Sequence, residues 1–442
     1  MKKKYLWIAY FAVCIGAKAQ DKPAIAQQLN YNAELKTVGT TKAKIKRIDS
    51  LMQSFVDQSK ISSAVGFIAK NGNVVYNKAY GFKDVENHIP ASVDDYYILF
   101  SQTKAVVTVA FMTLVDKGLV AVDDPVSKYF PEISDKVLTA VNDDGTYKTR
   151  PVSRPMTFAD LMSHSSGLGA GLAGKLRKGE AERKAKASGS ENLSNNSVAM
   201  GQRTGGTGTS RYLKEDMLAL AKYPLGFDPG SEWNYHVSTN MLGYMVEIIS
   251  GKSLREYVKL SVLDPLGMNE TDWYYGPEAS PRFVKPYSAI DGKLVLQSTK
   301  FSEGTISTNR TYAEGAIGLN GPIGDYAKFC QMLLNKGEYN GHRILKAATV
   351  DMMTKKNRLP AVNSGGKTFQ FGLGFELYNA EKKPVPEVSN SAFAWGGFYG
   401  TDYIIDPENN MIALFYLNMP KHEPLYPLFL RGGYQLFEKS DK

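Results

Sequence analysis

β-Rich segments stand at both ends of this chain, and helical patterns fill the stretch between them. Near the start, residues 64–69 and 74–80 are rich in β-branched and aromatic residues, and Asn71-Gly72 between them is typical of a tight hairpin turn. Near the end, residues 403–405 and 411–416 flank a second turn segment. This order predicts an α+β fold, in which an antiparallel sheet built from both termini is flanked by helices and holds a mostly helical insertion.

Four helices are predicted in the middle of the chain. They cover residues 103–117, 158–164, 237–249 and 325–335. The first is largely apolar, contains no Pro or Gly and is followed by Gly118, so we expect it to be buried through the centre of a domain. A capping box, Thr157-Phe158-Ala159-Asp160, opens the second helix.

Residues 1–19 have the pattern of a secretory signal peptide. Three lysines precede a short apolar run, and Ala17-Lys18-Ala19 before Gln20 is an A-x-A cleavage site. We therefore expect an exported protein, periplasmic or secreted. No later apolar run is long enough to span a bilayer, which predicts no stable membrane insertion. After cleavage Cys330 is the only cysteine, so an intramolecular disulfide is excluded.

The positive charge of the chain is concentrated in two places. The formal net charge is +9, but four of the lysines lie in the predicted signal peptide, and residues 171–210 hold seven basic and three acidic residues. The rest of the chain is nearly neutral, which argues against a nucleic-acid-binding face. Residues 173–210 contain few large apolar side chains, and we expect them to form a flexible insertion.

One serine and one lysine have the spacing of a nucleophile and its base. Ser101-Gln102-Thr103-Lys104 lies where an extended run gives way to a predicted helix, so Ser101 and Lys104 share one helix face. A desolvated lysine loses its proton more readily and can then take the proton of a serine hydroxyl. The same residues also suit a capping serine beside a solvated lysine, and the sequence leaves both interpretations open.

Two further segments carry groups that suit acyl transfer. Tyr235 follows a predicted turn and precedes a helix, where a phenol can share a proton with a nearby lysine and serine. Trp395-Gly396-Gly397 enters a predicted strand, and glycines in strands often mark a close approach of backbone or ligand. A free N–H there and that of Ser101 are candidates for an oxyanion hole. The alternatives are a half-buried packing tyrosine and a bulge that packs Trp395.

Together, four motifs resemble the serine beta-lactamase-like hydrolase family, which includes class C beta-lactamases, D-Ala-D-Ala carboxypeptidases and family VIII carboxylesterases. The motifs are Ser101-x-x-Lys104, Leu161-Met162-Ser163-His164-Ser165-Ser166-Gly167-Leu168, Phe227-Asp228-Pro229-Gly230-Ser231-Glu232-Trp233-Asn234-Tyr235 and Trp395-Gly396-Gly397. The resemblance covers residues 45–437. The remaining parts are then the signal peptide, a lead segment of residues 20–44 and a tail of residues 438–442.

The resemblance implies a role for each of these motifs. Ser101 is expected to be the nucleophile, Lys104 and Tyr235 the pair that moves protons, and the backbone N–H groups of Ser101 and Phe398 the oxyanion hole. His164 belongs to a motif that is structural in the family and is not expected to be catalytic. No cofactor is implied, and the histidines show no metal-ligand spacing.

Two departures from the lactamase pattern favour the carboxylesterase branch. Val237 stands where lactamases have an amide for the lactam side chain, and Trp395 stands where they have a cation for a substrate carboxylate. We expect the substrate to contact Val237, Trp395, Gly396, Gly397 and Tyr399.

The sequence therefore predicts an exported serine hydrolase that cleaves small-molecule esters through a Ser101 acyl-enzyme. A beta-lactamase or a D-amino-acid peptidase or amidase of the same fold is the first alternative, and a binding protein without catalysis is the second. The oligomeric state is left open.

Overall fold

The computed structural model describes residues 27–187, 212–307, 309–360, 366, 368–420 and 422–437. In these ranges the strands are β1 (Ser63–Lys70), β2 (Asn73–Asp84), β3 (Ile89–Pro90), β4 (Tyr97–Ile98), β5 (Lys136–Val141), β6 (Tyr147–Pro151), β7 (Tyr287–Ile290), β8 (Lys293–Leu296), β9 (Asn320–Gly321), β10 (Glu338–Tyr339), β11 (His342–Arg343), β12 (Gln370–Phe371), β13 (Glu376–Leu377), β14 (Phe393–Gly397), β15 (Thr401–Asp406) and β16 (Met411–Tyr416).

The α-helices are α1 (Lys42–Asp57), α2 (Gln102–Asp116), α3 (Phe158–Met162), α4 (Gly171–Ala187), α5 (Leu213–Ala221), α6 (Ser238–Ser250), α7 (Leu254–Val258), α8 (Asp264–Leu266), α9 (Lys300–Thr305), α10 (Ile323–Leu334), α11 (Ala347–Thr354) and α12 (Tyr426–Gln435). Short 3₁₀ helices cover Leu35–Val38, Val126–Lys128 and Pro277–Arg282, and a π-helical turn covers Lys259–Leu263.

The largest sheet joins the two ends of the chain, as the sequence predicts. Its eight strands follow the order β12-β13-β14-β15-β16-β1-β2-β3, and all neighbouring strands are antiparallel. The central pairing of β1 with β16 places Val65 opposite Tyr416. Asn71 and Gly72, with φ of 52° and 73°, make the predicted hairpin turn between β1 and β2. The predicted α+β fold is confirmed.

The sheet carries apolar side chains on both faces and is covered on both. On one face, α1 and α12 pack over it, with Ile48, Met52 and Phe429 among the buried residues. On the other face, α10 contacts β1, β15 and β16, and the larger core continues into the helical part of the chain. At the centre of this core lies α2, whose residues are all buried from Gln102 to Leu114. The N-terminus of α2 is therefore held between the sheet and the helices.

Local signals in the sequence account for several helix ends. The capping box at α3 is complete, since Thr157 Oγ1 accepts the Asp160 N–H and the Asp160 carboxylate accepts the Thr157 N–H at 2.8 Å. Gly251 adopts φ of 69° directly after α6, which is the left-handed conformation that ends many helices.

Four of the predicted segments lie wholly or partly beyond the described residues, among them the lead segment 20–44, which is described from residue 27. The signal peptide and the C-terminal tail fall outside them. Of the predicted insertion 173–210, residues up to 187 lie in α4, and the remainder belongs to the stretch 188–211 outside the described ranges. Ala173 and Leu176 of α4 are buried with Leu138 of β5. Within the described ranges, no helix combines the length and apolar character needed to cross a membrane.

Candidate active site

Ser101 stands between β4 and α2, where the sequence places it. It occupies the N-cap position of α2, yet its side chain accepts no hydrogen bond from the first turn of the helix. The preceding residue, Phe100, has φ of 42°, a left-handed conformation that is strained for a bulky side chain. The hydroxyl of Ser101 therefore points to other partners, and the interpretation as a capping side chain is wrong.

Lys104 is buried and reaches the Ser101 hydroxyl. Its Nζ lies 3.0 Å from Ser101 Oγ and donates to the carbonyl oxygen of Ala316 at 2.8 Å. The residue is only 2% exposed, so the alternative of a solvated lysine is also wrong. Burial lowers the pKa of Lys104 to about 7, while the negative charge of Glu314 acts in the opposite direction. Near neutral pH, a substantial fraction of Lys104 is therefore uncharged and able to accept a proton.

A tightly held loop orients the carbonyl group of Ala316 toward Lys104. Asn240 of α6 accepts the Ala316 N–H at 2.7 Å and donates to Glu314 Oε1 at 3.1 Å. Trp273 Nε1 donates to the Glu314 carbonyl oxygen at 3.0 Å. These bonds fix the loop on both sides of Gly315, and through it they fix the direction of the lysine.

Tyr235 faces the same serine from another side. Trp395 Nε1 donates to Tyr235 Oη at 2.9 Å, and the phenol also interacts with the Ser101 side chain. Lys104 Nζ lies 4.5 Å from the centre of the Tyr235 ring. Burial raises the pKa of Tyr235 well above its ordinary value, and the hydrogen bonds from Ser101 and Trp395 offset only part of this. The phenol is therefore protonated at neutral pH and can act as a proton donor.

The motif around His164 shapes the segment that carries Tyr235. The carbonyl oxygen of His164 accepts the Asn234 N–H at 2.8 Å, and that of Ser165 accepts the Gly230 N–H at 2.7 Å. The His164 ring packs edge-on against Tyr235 with 4.6 Å between ring centres. Burial and the nearby charge of Lys104 lower the pKa of His164, so this ring is neutral. The contacts agree with the structural role that the sequence predicts for His164.

The hairpin of β14 and β15 lies directly against the chain before Ser101. A Cβ atom at Gly397 would come within 2.5 Å of the Leu99 carbonyl oxygen, so only glycine permits this approach. Gln102 Nε2 donates to the Thr401 carbonyl oxygen at 3.0 Å and fixes the hairpin in place. Trp395 pairs in regular register with Tyr403, which excludes a bulge at that position.

The two N–H groups predicted for the oxyanion hole are available. Across the described ranges, neither the Ser101 N–H nor the Phe398 N–H donates to a backbone carbonyl group. Phe398 begins the tight turn after β14, which is closed by a bond of 3.0 Å from the Gly400 N–H to the Gly397 carbonyl oxygen. Two such donors are what a developing oxyanion requires, and their use in this protein stays a prediction.

The residues predicted to bind substrate occupy different environments. Val237 is 4% exposed and belongs to the main core. Trp395 is half-buried, and its indole N–H donates to Tyr235. Gly396 packs against the Asp402 side chain, and Tyr399 packs on Phe100 with 4.5 Å between ring centres. Substrate contact by these residues stays a prediction. In the part of the chain that the structure describes, no three His, Cys, Asp or Glu side chains are grouped so as to hold a metal ion.

Comparison with known proteins agrees with this geometry. A sequence model of the beta-lactamase family matches residues 48–427. The chain belongs to the beta-lactamase family. A lovastatin esterase from Penicillium rubens is 31% identical over 391 residues, which cover 83% of this chain and 91% of the esterase. A putative D-alanyl-D-alanine carboxypeptidase from Escherichia coli K12 is 25% identical over 449 residues, which cover 96% of this chain and 92% of that protein.

Solved structures confirm the beta-lactamase fold. The structure of EstCE1, described as a hydrolase with promiscuous acyltransferase activity, superimposes with a TM-score of 0.70 at 22% sequence identity. The superposition covers 90% of this chain and 99% of EstCE1. The protein is thus a beta-lactamase-fold member of a serine hydrolase family that acts on small molecules and has esterases among its relatives.

Sequence reasoning missed the groups that hold Lys104 in this beta-lactamase fold. Asn240 and the carbonyl group of Ala316 both lie outside the four motifs. Asn240 offers a signal in retrospect, since it is a polar residue in the largely apolar helix α6, five positions after Tyr235. A backbone carbonyl such as that of Ala316 leaves no trace in residue types.

Proposed function

We propose that this beta-lactamase-family protein is an exported carboxylesterase that works through an acyl-enzyme at Ser101. The observation that carries the proposal is the position of the Ser101 side chain, whose hydroxyl lies 3.0 Å from the buried amine of Lys104 and faces the phenol of Tyr235. The two groups beside this hydroxyl have different pKa values. Lys104 can therefore act as the base during attack, and Tyr235 as the acid that protonates the leaving group.

Acylation would proceed in two steps. Neutral Lys104 takes the hydroxyl proton while Ser101 Oγ bonds to the ester carbonyl carbon, and the carbonyl oxygen becomes an oxyanion between the N–H groups of Ser101 and Phe398. The bond to the alcohol oxygen then breaks as Tyr235 gives that oxygen its proton, and the ammonium group of Lys104 returns a proton to Tyr235. Deacylation repeats the sequence with water, which releases the acid and restores the Ser101 hydroxyl.

Esters fit this site better than lactams do. A lactam antibiotic or a D-Ala-D-Ala peptide presents a carboxylate, and the indole of Trp395 brings no charge to meet it. Loss of a charge-assisted hydrogen bond costs about 1.5–3 kcal/mol, which is roughly tenfold to a hundredfold in rate. The peptidase alternative is supported by the carboxypeptidase relative, which matches almost the whole chain. The arrangement of Ser101, Lys104 and Tyr235 argues against a binding protein without catalysis.

One preparation of the protein can separate these activities. We would measure kcat/KM for p-nitrophenyl butyrate, nitrocefin and a D-Ala-D-Ala peptide, with Ser101→Ala as the control. We expect the ester to give the highest value and Ser101→Ala to abolish its turnover. A fluorophosphonate probe followed by peptide mass spectrometry should place the label on Ser101. A nitrocefin or peptide value equal to the ester value would contradict the carboxylesterase assignment.

A further inference from the structure

A second group of aromatic side chains, distinct from those around Tyr235, lies beside the nucleophile. The Phe100 ring centre is 4.5 Å from that of Tyr399, 4.9 Å from that of Phe301 and 5.9 Å from that of Phe398. We call Phe100, Phe301, Phe398 and Tyr399 the phenylalanine cluster. Phe100 is buried and contacts the other three rings, whereas Phe398 is 58% exposed.

The phenylalanine cluster is joined through the chain to each group that handles the ester carbonyl. Phe100 precedes Ser101, and Phe398 carries the second N–H of the predicted oxyanion hole. Ile317 packs with Phe100 and directly follows Ala316, whose carbonyl group holds Lys104. A substrate carbonyl bound between Ser101 and Phe398 would therefore lie next to this apolar surface.

The chemistry of acylation determines which half of the ester the phenylalanine cluster meets. The alcohol oxygen must lie toward Tyr235, because that phenol gives it a proton. The rings around Tyr235 are those of His164, Trp233, His236 and Trp395. The carbonyl oxygen must lie between the two N–H groups. The acyl group takes the remaining direction from the tetrahedral carbon. We take this direction to be the one toward the exposed ring of Phe398, because Phe398 itself carries the second N–H of the predicted oxyanion hole.

We infer that the phenylalanine cluster is the acyl-binding site and that Phe398 selects apolar acyl groups, with aryl groups preferred. This inference rests on the proposed esterase function. The side chains of the cluster carry no charge and a single polar atom, the hydroxyl of Tyr399, so a charged acyl group gains no opposite charge there. An aryl group gains from covering exposed ring surface and from ring–ring contact as well.

The test compares two ester series across three variants. In the first series the alcohol is p-nitrophenol and the acyl group is acetyl or phenylacetyl. In the second the acyl group is butyryl and the alcohol is ethanol or benzyl alcohol. For Phe398→Ala, we expect the ratio of kcat/KM for phenylacetyl over acetyl to fall about tenfold, as for the loss of a buried ring contact. The ratio for benzyl over ethyl should stay within about twofold.

Two further variants are measured in the same way. One changes a second residue of the phenylalanine cluster, and the other changes a ring outside it as a control. Phe301→Ala removes the ring that α9 contributes to the phenylalanine cluster. It should also lower the ratio of kcat/KM for phenylacetyl over acetyl. Phe371→Ala changes a ring that packs 5.1 Å from Trp395, on the Tyr235 side, and should leave the acyl ratio unaltered. Unfolding curves measured on all three variants confirm that each compared ratio comes from folded protein.

Each other outcome overturns the inference. If Phe398→Ala lowers the ratio of kcat/KM for benzyl over ethyl and leaves the ratio for phenylacetyl over acetyl unchanged, the cluster binds the alcohol half of the ester. An equal loss for both acyl groups would mean that Phe398 affects only the oxyanion hole. A parent enzyme that hydrolyses no ester at all would instead refute the proposed function, and this result appears before any variant is made.

Discussion

Replacing Trp395 with Phe should weaken the proton donor without emptying its surroundings. The change removes the Nε1–H that donates to Tyr235 Oη at 2.9 Å and keeps a ring against Phe371. With a neutral phenol, this bond contributes about 0.5–1.5 kcal/mol, whereas a bond to a charged oxygen contributes about 1.5–3 kcal/mol. Tyr235 gains negative charge as it gives up its proton, so the difference of about 1–1.5 kcal/mol predicts a roughly tenfold loss in kcat with little change in KM.

The leaving group provides the decisive readout for Trp395→Phe. Ethanol needs a proton as it departs, whereas p-nitrophenolate is stable without one. The tenfold loss should therefore appear with ethyl butyrate and be much smaller with p-nitrophenyl butyrate, in steady-state and burst kinetics. Phe371→Leu is the matched control, because it alters packing against Trp395 and removes no hydrogen bond. An equal loss with both esters, or the same loss in Phe371→Leu, would refute the reasoning.

Four further outcomes are expected. Because burial lowers the pKa of Lys104 to about 7, kcat/KM should rise with pH up to about 7 and be about a hundredfold lower at pH 5; a flat pH profile would contradict Lys104 as the base. Lys104→Ala and Tyr235→Phe should each lower kcat at least ~100-fold, and the double variant should show less than the product of the two effects; additive losses would mean that the pair does not act as a unit. Gly397→Ala should lower both activity and the free energy of unfolding, the latter by about 1–3 kcal/mol in urea titrations, because the new methyl group collides with the Leu99 carbonyl; parental stability would contradict the close approach. N-terminal sequencing of the exported protein should begin at Gln20, and a retained Met1 would contradict the predicted signal peptide.

Much of the fold could be predicted because its elements carry strong local signals. The segment 103–117 is largely apolar and is followed by a glycine, and the observed helix, Gln102–Asp116, is displaced by one residue. The capping box at Thr157 and the Asn71-Gly72 turn work through contacts within a few residues, so the sequence displays them directly. Two-residue strands such as Gln370–Phe371 are too short for periodicity to reveal.

Other features depend on contacts between distant parts of the chain. Lysine- and glycine-rich residues 171–187 show little helical amphipathicity, and the helix there is packed at its start through Ala173 and Leu176 on Leu138. In the candidate site, the pairing of Ser101 with Lys104 can be predicted, because a spacing of three residues places both on one face of a helix turn. The Ala316 carbonyl and the bond from Trp395 to Tyr235 join elements far apart in sequence, and no local pattern encodes them.

The joining of both chain ends in one sheet has a consequence for biosynthesis. Val65 and Tyr416 are paired partners, so β1 must wait for nearly the whole polypeptide before its neighbour β16 exists. The turn that carries Phe398 arrives just as late, almost 300 residues after Ser101. A nascent or prematurely terminated chain therefore has its serine and lysine but lacks half of the predicted oxyanion hole, and it exposes an unpaired strand edge that invites aggregation. If Phe398 serves as predicted, hydrolytic activity requires translation to have passed the turn that carries it.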